Sequence, residues 1–485
     1  MIKLNQMLSI AKRYRKRNRY KVKTRTYPNF LSLYNENYSE RNMYKEIQSK
    51  YPPGNFQDLS EKDAWSCYNY SQKLISFPQV LDRLELIDQL EVQNEYILND
   101  KNLWPQTYKY TKFLTNTSTQ KWVNDTDDTI KLKYSKLSDK ISNMISEEYT
   151  KINHLTNLSS ENVCSLKEMQ QYDFSKRLLS RILNFVYIEL CKDSSFIENV
   201  SAYENLKCHA FFDKLISHFE EKNDIEKFTS FSVTSSQDFV FKSTSPVLPF
   251  VQFDKLPKME SFQNYEKYQP SMFDIKKENN RKFINTGTKI HDPYECTLSI
   301  FNVESLEMMK TLKEMKGYHM DGTTQAAVEK YQKYLWNNKT LLSCFISTFA
   351  TCYNFGYNSF TQLINPLPVS AFMFDGKYIQ PYRFQLNDIQ LWRNAEHTKC
   401  QNLFWIGEKM KLYNKISQDG QIDGFNILPI FEIINCLTRQ RLGLDKMYTM
   451  KPHLKKSHNV IVNRDIFYNV KKLERREYPN RSLYY

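Results

Sequence analysis

The clearest pattern in the chain is an apolar stripe between Ser165 and Cys191. Its apolar positions recur at four-residue steps and are Phe174, Leu178, Ile182, Val186 and Leu190. This period predicts an amphipathic helix whose apolar face packs on a core. A weaker stripe that contains many acidic residues predicts a second, partly solvated helix from Gln79 to Leu98.

Residues that break helices are rare in the first half of the chain. No proline or glycine occurs between Gln106 and Ser245, and Gly54 is the only glycine before Gly287. A stretch of this length without either residue is typical of helices joined by short polar turns. We therefore predict a helical domain over residues 28–240.

The pattern changes between residues 241 and 293, where five prolines interrupt a stretch that has little helical period. Proline restricts the local backbone and breaks helices. Aromatic residues stay frequent here, whereas a flexible linker is poor in them. We predict an extended connector that lies on a surface and fills pockets with its aromatic side chains.

The following segment, residues 294–445, contains more glycine and mixed patterns. Helices are predicted from Ala326 to Trp336 and from Leu341 to Phe355, and strands from Ala371 to Phe374 and from Phe425 to Ile430. This gives a mainly helical α+β domain. The predicted fold class is thus mainly α: a helical N-terminal domain, an extended Pro/aromatic connector, a mixed α(+β) C-terminal domain and basic terminal extensions.

No apolar stretch approaches the roughly 18 residues that a transmembrane helix needs. The most apolar window, Leu341 to Phe349, is short and is interrupted by polar residues, so it predicts a buried core helix. The nine cysteines form no CxxC pair. No secretory signal leads the chain, and free thiols in a reducing compartment are expected.

The net charge of +14 is concentrated at the two ends of the chain. Residues 1–27 carry ten cations and no acid, and residues 446–485 carry ten cations and three acids. The body between them is close to neutral. Basic ends of this kind are expected to hold a polyanion, although such runs are also found in solvated tails and on anionic lipid. A basic, acid-free start is typical of a mitochondrial transit peptide as well.

Tyrosines alternate with the cations near the start of the chain, and arginine is favoured over lysine where the cations are densest. This combination suits base stacking and bidentate phosphate binding. The predicted RNA-binding residues are Lys12, Arg13, Tyr14, Arg15, Lys16, Arg17, Arg19, Tyr20, Lys21, Lys23, Arg25, Lys451, Lys455, Lys456, Lys471, Lys472, Arg475, Arg476 and Arg481.

Motifs for catalysis are missing from the sequence. Neither GxxxxGK[ST] nor GxGxxG occurs, and GxSxG and HExxH are absent as well. His397 and Cys400 form one HxxC, but a zinc site needs four ligands. The four Asp-Gly pairs are interpreted as turns. We therefore expect no enzyme activity, no cofactor, no metal and no small-molecule substrate.

The Tyr- and Phe-rich, Gly-poor composition, the start MIKLNQMLSIAKRYRKRNRYKVKTR and the ending KKLERREYPNRSLYY together resemble the orphan reading frames of ciliate mitochondrial genomes. Many such frames encode mitochondrial ribosomal proteins, and others encode respiratory-complex subunits. The resemblance implies a location in the mitochondrial matrix and membership of a large assembly.

Three functional hypotheses follow. The first is a structural component of a mitochondrial ribosome that binds rRNA through its ends and neighbouring ribosomal proteins through its body. The second is a matrix-side accessory subunit of a respiratory-chain complex, with the basic arm on anionic lipid. The third is an RNA-processing enzyme with a degenerate motif, which the missing signatures disfavour.

Overall fold

The computed structural model describes residues 92–442, apart from 100–104, 123–127, 157–162, 221–222, 258–261, 263–269, 274, 282–283, 289–293, 319–324, 356, 358–361, 392–399 and 418. In the described part of the chain, no helix has the length and apolar character that a bilayer crossing requires.

The described region contains runs of helices and runs of strands. The helices are α1 (Pro105–Leu114), α2 (Asp128–Tyr134), α3 (Leu137–Thr156), α4 (Val163–Leu190), α5 (Ser194–Asn199), α6 (Leu306–Tyr318), α7 (Gln325–Asn354) and α8 (Leu428–Thr438). The strands are β1 (Val92–Leu98), β2 (Thr117–Lys121), β3 (Val200–Glu220), β4 (Asn223–Ser243), β5 (Lys277–Arg281), β6 (Cys296–Val303), β7 (Leu367–Phe374), β8 (Tyr378–Leu386), β9 (Asn402–Ile406), β10 (Met410–Lys411), β11 (Lys415–Ile416) and β12 (Ile422–Asp423).

Ten of these strands form one mixed sheet. Its main path runs in the order β2-β9-β8-β7-β6-β4-β1-β5, while β3 pairs with β4 and β10 with β8. The pairs β1–β4, β2–β9 and β6–β7 are parallel, and the other pairs are antiparallel. Strands from both sides of the 241–293 connector therefore share one sheet.

The sheet corrects the predicted fold class, because the protein is mixed α/β and not mainly α. Within the region predicted as a helical domain, β3 and β4 form a long antiparallel hairpin. The second half of β4 is rich in Val, Thr, Ser and Phe, the β-branched and aromatic character that suits strands. Absence of glycine and proline permits long strands as well as helices, so it could not distinguish the two.

Smaller predictions were corrected too. The last residues of the helix predicted from Gln79 to Leu98 form β1, and the rest of it lies outside the described residues. The strand predicted from Phe425 to Ile430 overlaps the start of α8, which has Pro429 in its first turn. The helices predicted from Ala326 and from Leu341 are one continuous helix, α7.

Helix layers cover both faces of the sheet. α7, about 45 Å long, packs on β3, β4, β6, β7 and β8 together with α1. The window Leu341 to Phe349 lies in its C-terminal half and is fully buried, as predicted for a core helix. On the other face, α3, α4 and α8 cover a second core, and the predicted stripe of α4 lies there.

Short polar side chains join α7 to the strands beneath it. Ser343 Oγ lies 2.8 Å from Ser235 Oγ and accepts a 3.2 Å hydrogen bond from Asn302 Nδ2. Thr297 Oγ1 and Ser347 Oγ are 2.6 Å apart. Small residues let the helix approach the sheet closely, and their mutual hydrogen bonds offset the cost of burying hydroxyl groups.

Three of the predicted Asp-Gly turns lie within the described residues, and in each the glycine has a positive φ, at Gly376, Gly420 and Gly424. In the first, Asp375 Oδ1 accepts hydrogen bonds from the backbone N–H groups of Lys377 (2.9 Å) and Tyr378 (2.7 Å). This Asx turn links β7 to β8. The turn interpretation is confirmed for Asp375-Gly376 and for Asp419-Gly420, where Gly420 N donates to Ser417 O (3.0 Å), while Asp423-Gly424 lies at the end of β12.

Candidate nucleic-acid interface

Every residue predicted to bind RNA lies in residues 1–27 or 446–485, outside the described residues. The structure therefore leaves those assignments as predictions. The described body carries further cations at the junction of α2 and α3 and in the segment after α8.

The α2–α3 junction carries a row of lysines, which we call the lysine ridge: Lys133, Lys136 and Lys140. All three are exposed. Lys133 is in the last turn of α2, a position favoured for cations by the helix dipole. Lys140 Nζ lies 5.6 Å from the ring centroid of Phe185 on α4, so the ridge runs beside the end of α4.

The segment after α8, residues 439–442, is extended, and we call it the arginine ribbon. Its backbone pairs with an earlier segment: Leu248 N donates to Gln440 O (3.0 Å), and Leu442 N donates to Pro246 O (2.8 Å). Arg439 Cζ lies 4.4 Å from the ring centroid of Phe250. Backbone pairing and ring contact together fix the direction of this cation.

Arg441 is the second cation of the ribbon, with Cζ 5.9 Å from the ring centroid of Phe196. The side chain is half-buried, and burial lowers the pKa of its guanidinium, against the influence of Asp193. Its Nη1 is buried and has no hydrogen-bond acceptor. Arg441 is therefore a cation that has lost part of its hydration without full compensation.

Asp193 lies at the start of α5. Its carboxylate caps α5 and accepts hydrogen bonds from Ser195 N (3.0 Å) and Ser195 Oγ (2.8 Å). These bonds, followed by the positive charges of Lys133 and Arg441, lower the pKa of Asp193. The positive charges of Lys133 and Arg441 therefore both act on this carboxylate.

Sequence reasoning missed these cations because they come from separate segments. Counting the basic tail from residue 446 left out Arg439 and Arg441. Four lysines fall within the ten residues from Lys131 to Lys140, and this cluster alone indicates a basic surface segment.

Metal-ligating side chains and reactive thiols were sought among the described residues as signs of enzymatic chemistry. No group of three or more metal-ligating side chains is present among the described residues. The described cysteines are free thiols. Burial raises the pKa of Cys208 and of Cys436 to about 11, so both stay protonated and poorly nucleophilic at neutral pH.

One buried carboxyl group, Glu304, has a perturbed pKa. Its Oε1 accepts hydrogen bonds from Gln332 Nε2 (2.8 Å) and Trp336 Nε1 (2.9 Å). Lys409 Nζ lies 4.2 Å from the Trp336 ring centroid and 3.5 Å from Asp375 Oδ2. Burial is the main cause that raises the pKa of Glu304. These contacts tie the end of β6 to α7 and to two turns, which is a structural role.

We expect the substitution Glu304→Gln to change how stability depends on pH. Because the folded-state pKa of Glu304 is raised, the folded protein binds a proton more tightly than the unfolded chain. The wild type should therefore lose stability as pH rises from the ordinary carboxyl range through the raised pKa, and the neutral amide should remove that loss. Urea unfolding at a series of pH values measures it, and parallel profiles would contradict the assignment.

Comparison with known proteins gives the family. A family model described as mitochondrial 28S ribosomal protein S30 (PDCD9) matches residues 15–440, which is most of the chain. No curated protein matches the sequence. The match confirms the expectation of a mitochondrial ribosomal protein without enzymatic activity. The chain therefore belongs to the mitochondrial ribosomal protein S30 family and is a structural component of the mitochondrial ribosome.

Proposed function

We propose that this protein is held in the mitochondrial ribosome mainly by contacts between its two basic ends and rRNA. The charge distribution carries the proposal, because the ends hold more than the whole net charge while the body is close to neutral. In a ribosome, the most abundant polyanion is rRNA. Contacts of arginine and lysine with phosphate position a protein without reading base sequence.

The proposed division of labour follows the predicted boundaries. Residues 1–27 and 446–485 are the RNA-binding extensions. Residues 28–240 and 294–445, joined by the 241–293 connector, form the body that meets neighbouring ribosomal proteins. Exposed aliphatic side chains support protein contacts by the body: Leu132 is 80% exposed and Ile188 is 61% exposed. The family match removes the reason to prefer a respiratory-complex subunit.

Sucrose-gradient sedimentation of mitochondrial lysate tests the assembly. The protein should migrate with one ribosomal subunit, and RNase treatment should release it. The fraction that contains it also identifies the subunit. Migration with a detergent-solubilised membrane complex, unchanged by RNase, would contradict the proposal.

Salt titration of the purified chain with mitochondrial rRNA tests the ends directly. Replacing Arg13, Arg15, Arg17 and Arg19 by glutamine should make the log–log salt dependence less steep by roughly 3, since each phosphate contact contributes about 0.7–0.9. The matched control replaces four exposed body cations, Lys121, Lys207, Lys310 and Lys330, by glutamine. Equal effects of the two variants would show that the N-terminal arm has no special role.

A further inference from the structure

We infer that the folded body stacks an unpaired base of rRNA on a surface of alternating aromatic rings and guanidinium groups. The four residues of this surface, which we call the ring–arginine stack, are Trp122, Arg383, Phe250 and Arg439. The inference rests on the proposed rRNA function. It adds a contact to a base, made by the body, to the phosphate contacts proposed for the ends.

Contacts between rings and cations follow one order through the stack. Arg383 Cζ lies 4.3 Å from the ring centroid of Trp122 and 5.5 Å from that of Phe250. Arg439 Cζ lies 4.4 Å from the same Phe250 centroid. All three distances are within the range of cation–π attraction, so each planar group holds the next, and Trp122 and Arg439 are the two end members.

The connector segment that carries Phe250 is fixed on both of its sides. Val251 N donates to Oε1 of Gln385 on β8 (3.0 Å), and Gln385 Nε2 donates back to Val251 O (2.7 Å). On the other side, Leu248 N donates to Gln440 O of the arginine ribbon (3.0 Å). A surface that is already positioned loses little conformational entropy when a ligand binds.

Trp122 is held against the end of β9. It directly follows β2, and a Cβ atom placed on Gly407 would lie only 3.2 Å from Trp122 Cδ2 and 2.6 Å from Pro381 Cγ. Glycine at this position therefore lets the indole ring lie close to the sheet. The ring is nevertheless only half-buried, so part of its surface meets solvent.

Three members of the stack are within reach of an external ligand. Trp122, Phe250 and Arg439 are half-buried, whereas Arg383 is buried and positions the two rings that it contacts. Single-stranded RNA is recognised by stacking its bases on aromatic rings and on the planes of arginine side chains. The end members Trp122 and Arg439 offer one surface of each kind.

Charge favours a nucleotide over an aromatic side chain of a neighbouring protein. Arg383 and Arg439 bring two guanidinium groups within 5.5 Å of one ring centroid, and the exposed Lys121 precedes Trp122. A nucleotide supplies a ring for stacking together with a phosphate for these cations. An aromatic side chain supplies only the ring. Because every base has a stacking face, no particular base is required.

Binding of oligoadenylate to the purified full-length chain, beside an abasic oligomer of equal length, tests this inference. Trp122→Leu should weaken oligoadenylate binding by about 5- to 150-fold, the usual contribution of one stacked base. It should leave binding of the abasic oligomer unchanged. The matched control is Tyr331→Leu, which removes another half-buried ring, on α7, and should change neither. Wild-type affinity of the Trp122 variant for oligoadenylate would overturn the inference.

Arg439→Lys separates stacking from charge, because lysine keeps the positive charge and lacks the planar group. It should also weaken binding of oligoadenylate more than binding of the abasic oligomer. The control Arg177→Lys makes the same change at an exposed position on α4. Equal losses for both oligomers would mean that Arg439 acts only as a charge, which contradicts the stack. Unchanged urea midpoints would show that the losses are not caused by unfolding.

The four-arginine variant of the N-terminal arm distinguishes failure of this inference from failure of the proposed function. Trp122→Leu removes no charge, so it should lower affinity without changing the salt slope, whereas the arm variant should flatten the slope for both oligomers. If only the arm variant has its effect, the ends bind RNA and the stack is wrong. If only Trp122→Leu has its effect, the stack binds RNA and the proposed role of the arm is wrong.

Hydroxyl-radical footprinting of purified mitochondrial ribosomes gives a readout that needs no variant. Trp122 should be protected from oxidation, and RNase digestion should remove that protection, while Tyr331 serves as an internal reference in each sample. Protection that survives digestion would mean that a neighbouring protein covers the stack. That result would overturn the assignment to RNA.

Discussion

Replacing Trp336 by alanine is expected to lower the free energy of unfolding by about 4–8 kcal/mol. Removing a fully buried tryptophan costs about 3–5 kcal/mol, and loss of a hydrogen bond to a buried acceptor adds about 1–3 kcal/mol. Trp336 has no exposed surface, and its Nε1 donates to Glu304. The substitution also removes the ring beneath Lys409.

Equilibrium unfolding in urea measures this loss. Trp336→Phe should lose less, because it keeps a ring in the core and removes only the N–H donor. The control is Ile188→Ala on α4, where the side chain is largely exposed and the change should stay within about 0.5 kcal/mol. A Trp336→Ala loss no larger than that of the control would show that α7 is packed differently.

Asn402→Ala is the second substitution with a large expected effect, about 3–5 kcal/mol. The side chain is fully buried at the start of β9. Its Oδ1 accepts hydrogen bonds from the backbone N–H groups of Asn387 (2.8 Å) and Asp388 (3.0 Å), and its Nδ2 donates to Thr115 O (2.8 Å). Alanine leaves the N–H groups of Asn387 and Asp388 without this acceptor, at about 1–3 kcal/mol each. Thr115 O keeps a 3.2 Å hydrogen bond from Thr117 Oγ1.

The matched control is Asn184→Ala on the exposed side of α4, where Nδ2 makes one 3.4 Å contact with Ser180 Oγ. Alanine is a better helix former than asparagine, so this change should be close to neutral. Thermal and urea unfolding of both variants provide the comparison. Similar stabilities would mean that Asn402 does not join β2, β9 and the turn at residue 387 as the hydrogen bonds indicate.

The parts of the fold that could be predicted are those with a local periodic signal. The stripe of α4 repeats at helical period, and the strand from Ala371 to Phe374 is a short apolar run that lies within β7. Both predictions are confirmed. The apolar window in α7 is buried in the core, and the helix extends beyond each of the two predicted pieces.

Strands whose partners lie far away in sequence could not be predicted in the same way. β1 is a short segment whose neighbours are β4 and β5, so its conformation is decided by residues more than a hundred positions away. The stripe that suggested a helix there was weak, and tertiary pairing overrode it. The β3–β4 hairpin was missed because the segment was assigned as helical from its lack of glycine and proline. The alternation of its apolar and polar residues was not considered.

For function, charge distribution and composition were sufficient to indicate the class of protein, which the family match confirms. They indicated the basic ends as RNA-binding, and that assignment stays a prediction. The contact between Arg441 and the ring of Phe196 joins two residues that are separate in sequence and individually ordinary. Only their positions in the fold relate them.

The pairing of β2 with β9 has a consequence for the order of events during synthesis. The hydrogen bond from Asn402 to Thr115 spans 287 residues. At about 5–20 residues per second, the ribosome synthesises β9 roughly 15–60 s after β2. During that interval β2 has an unpaired edge that invites incorrect pairing with other chains. The sheet can close only late in translation, so a chain truncated before β9 should depend on chaperones and be degraded.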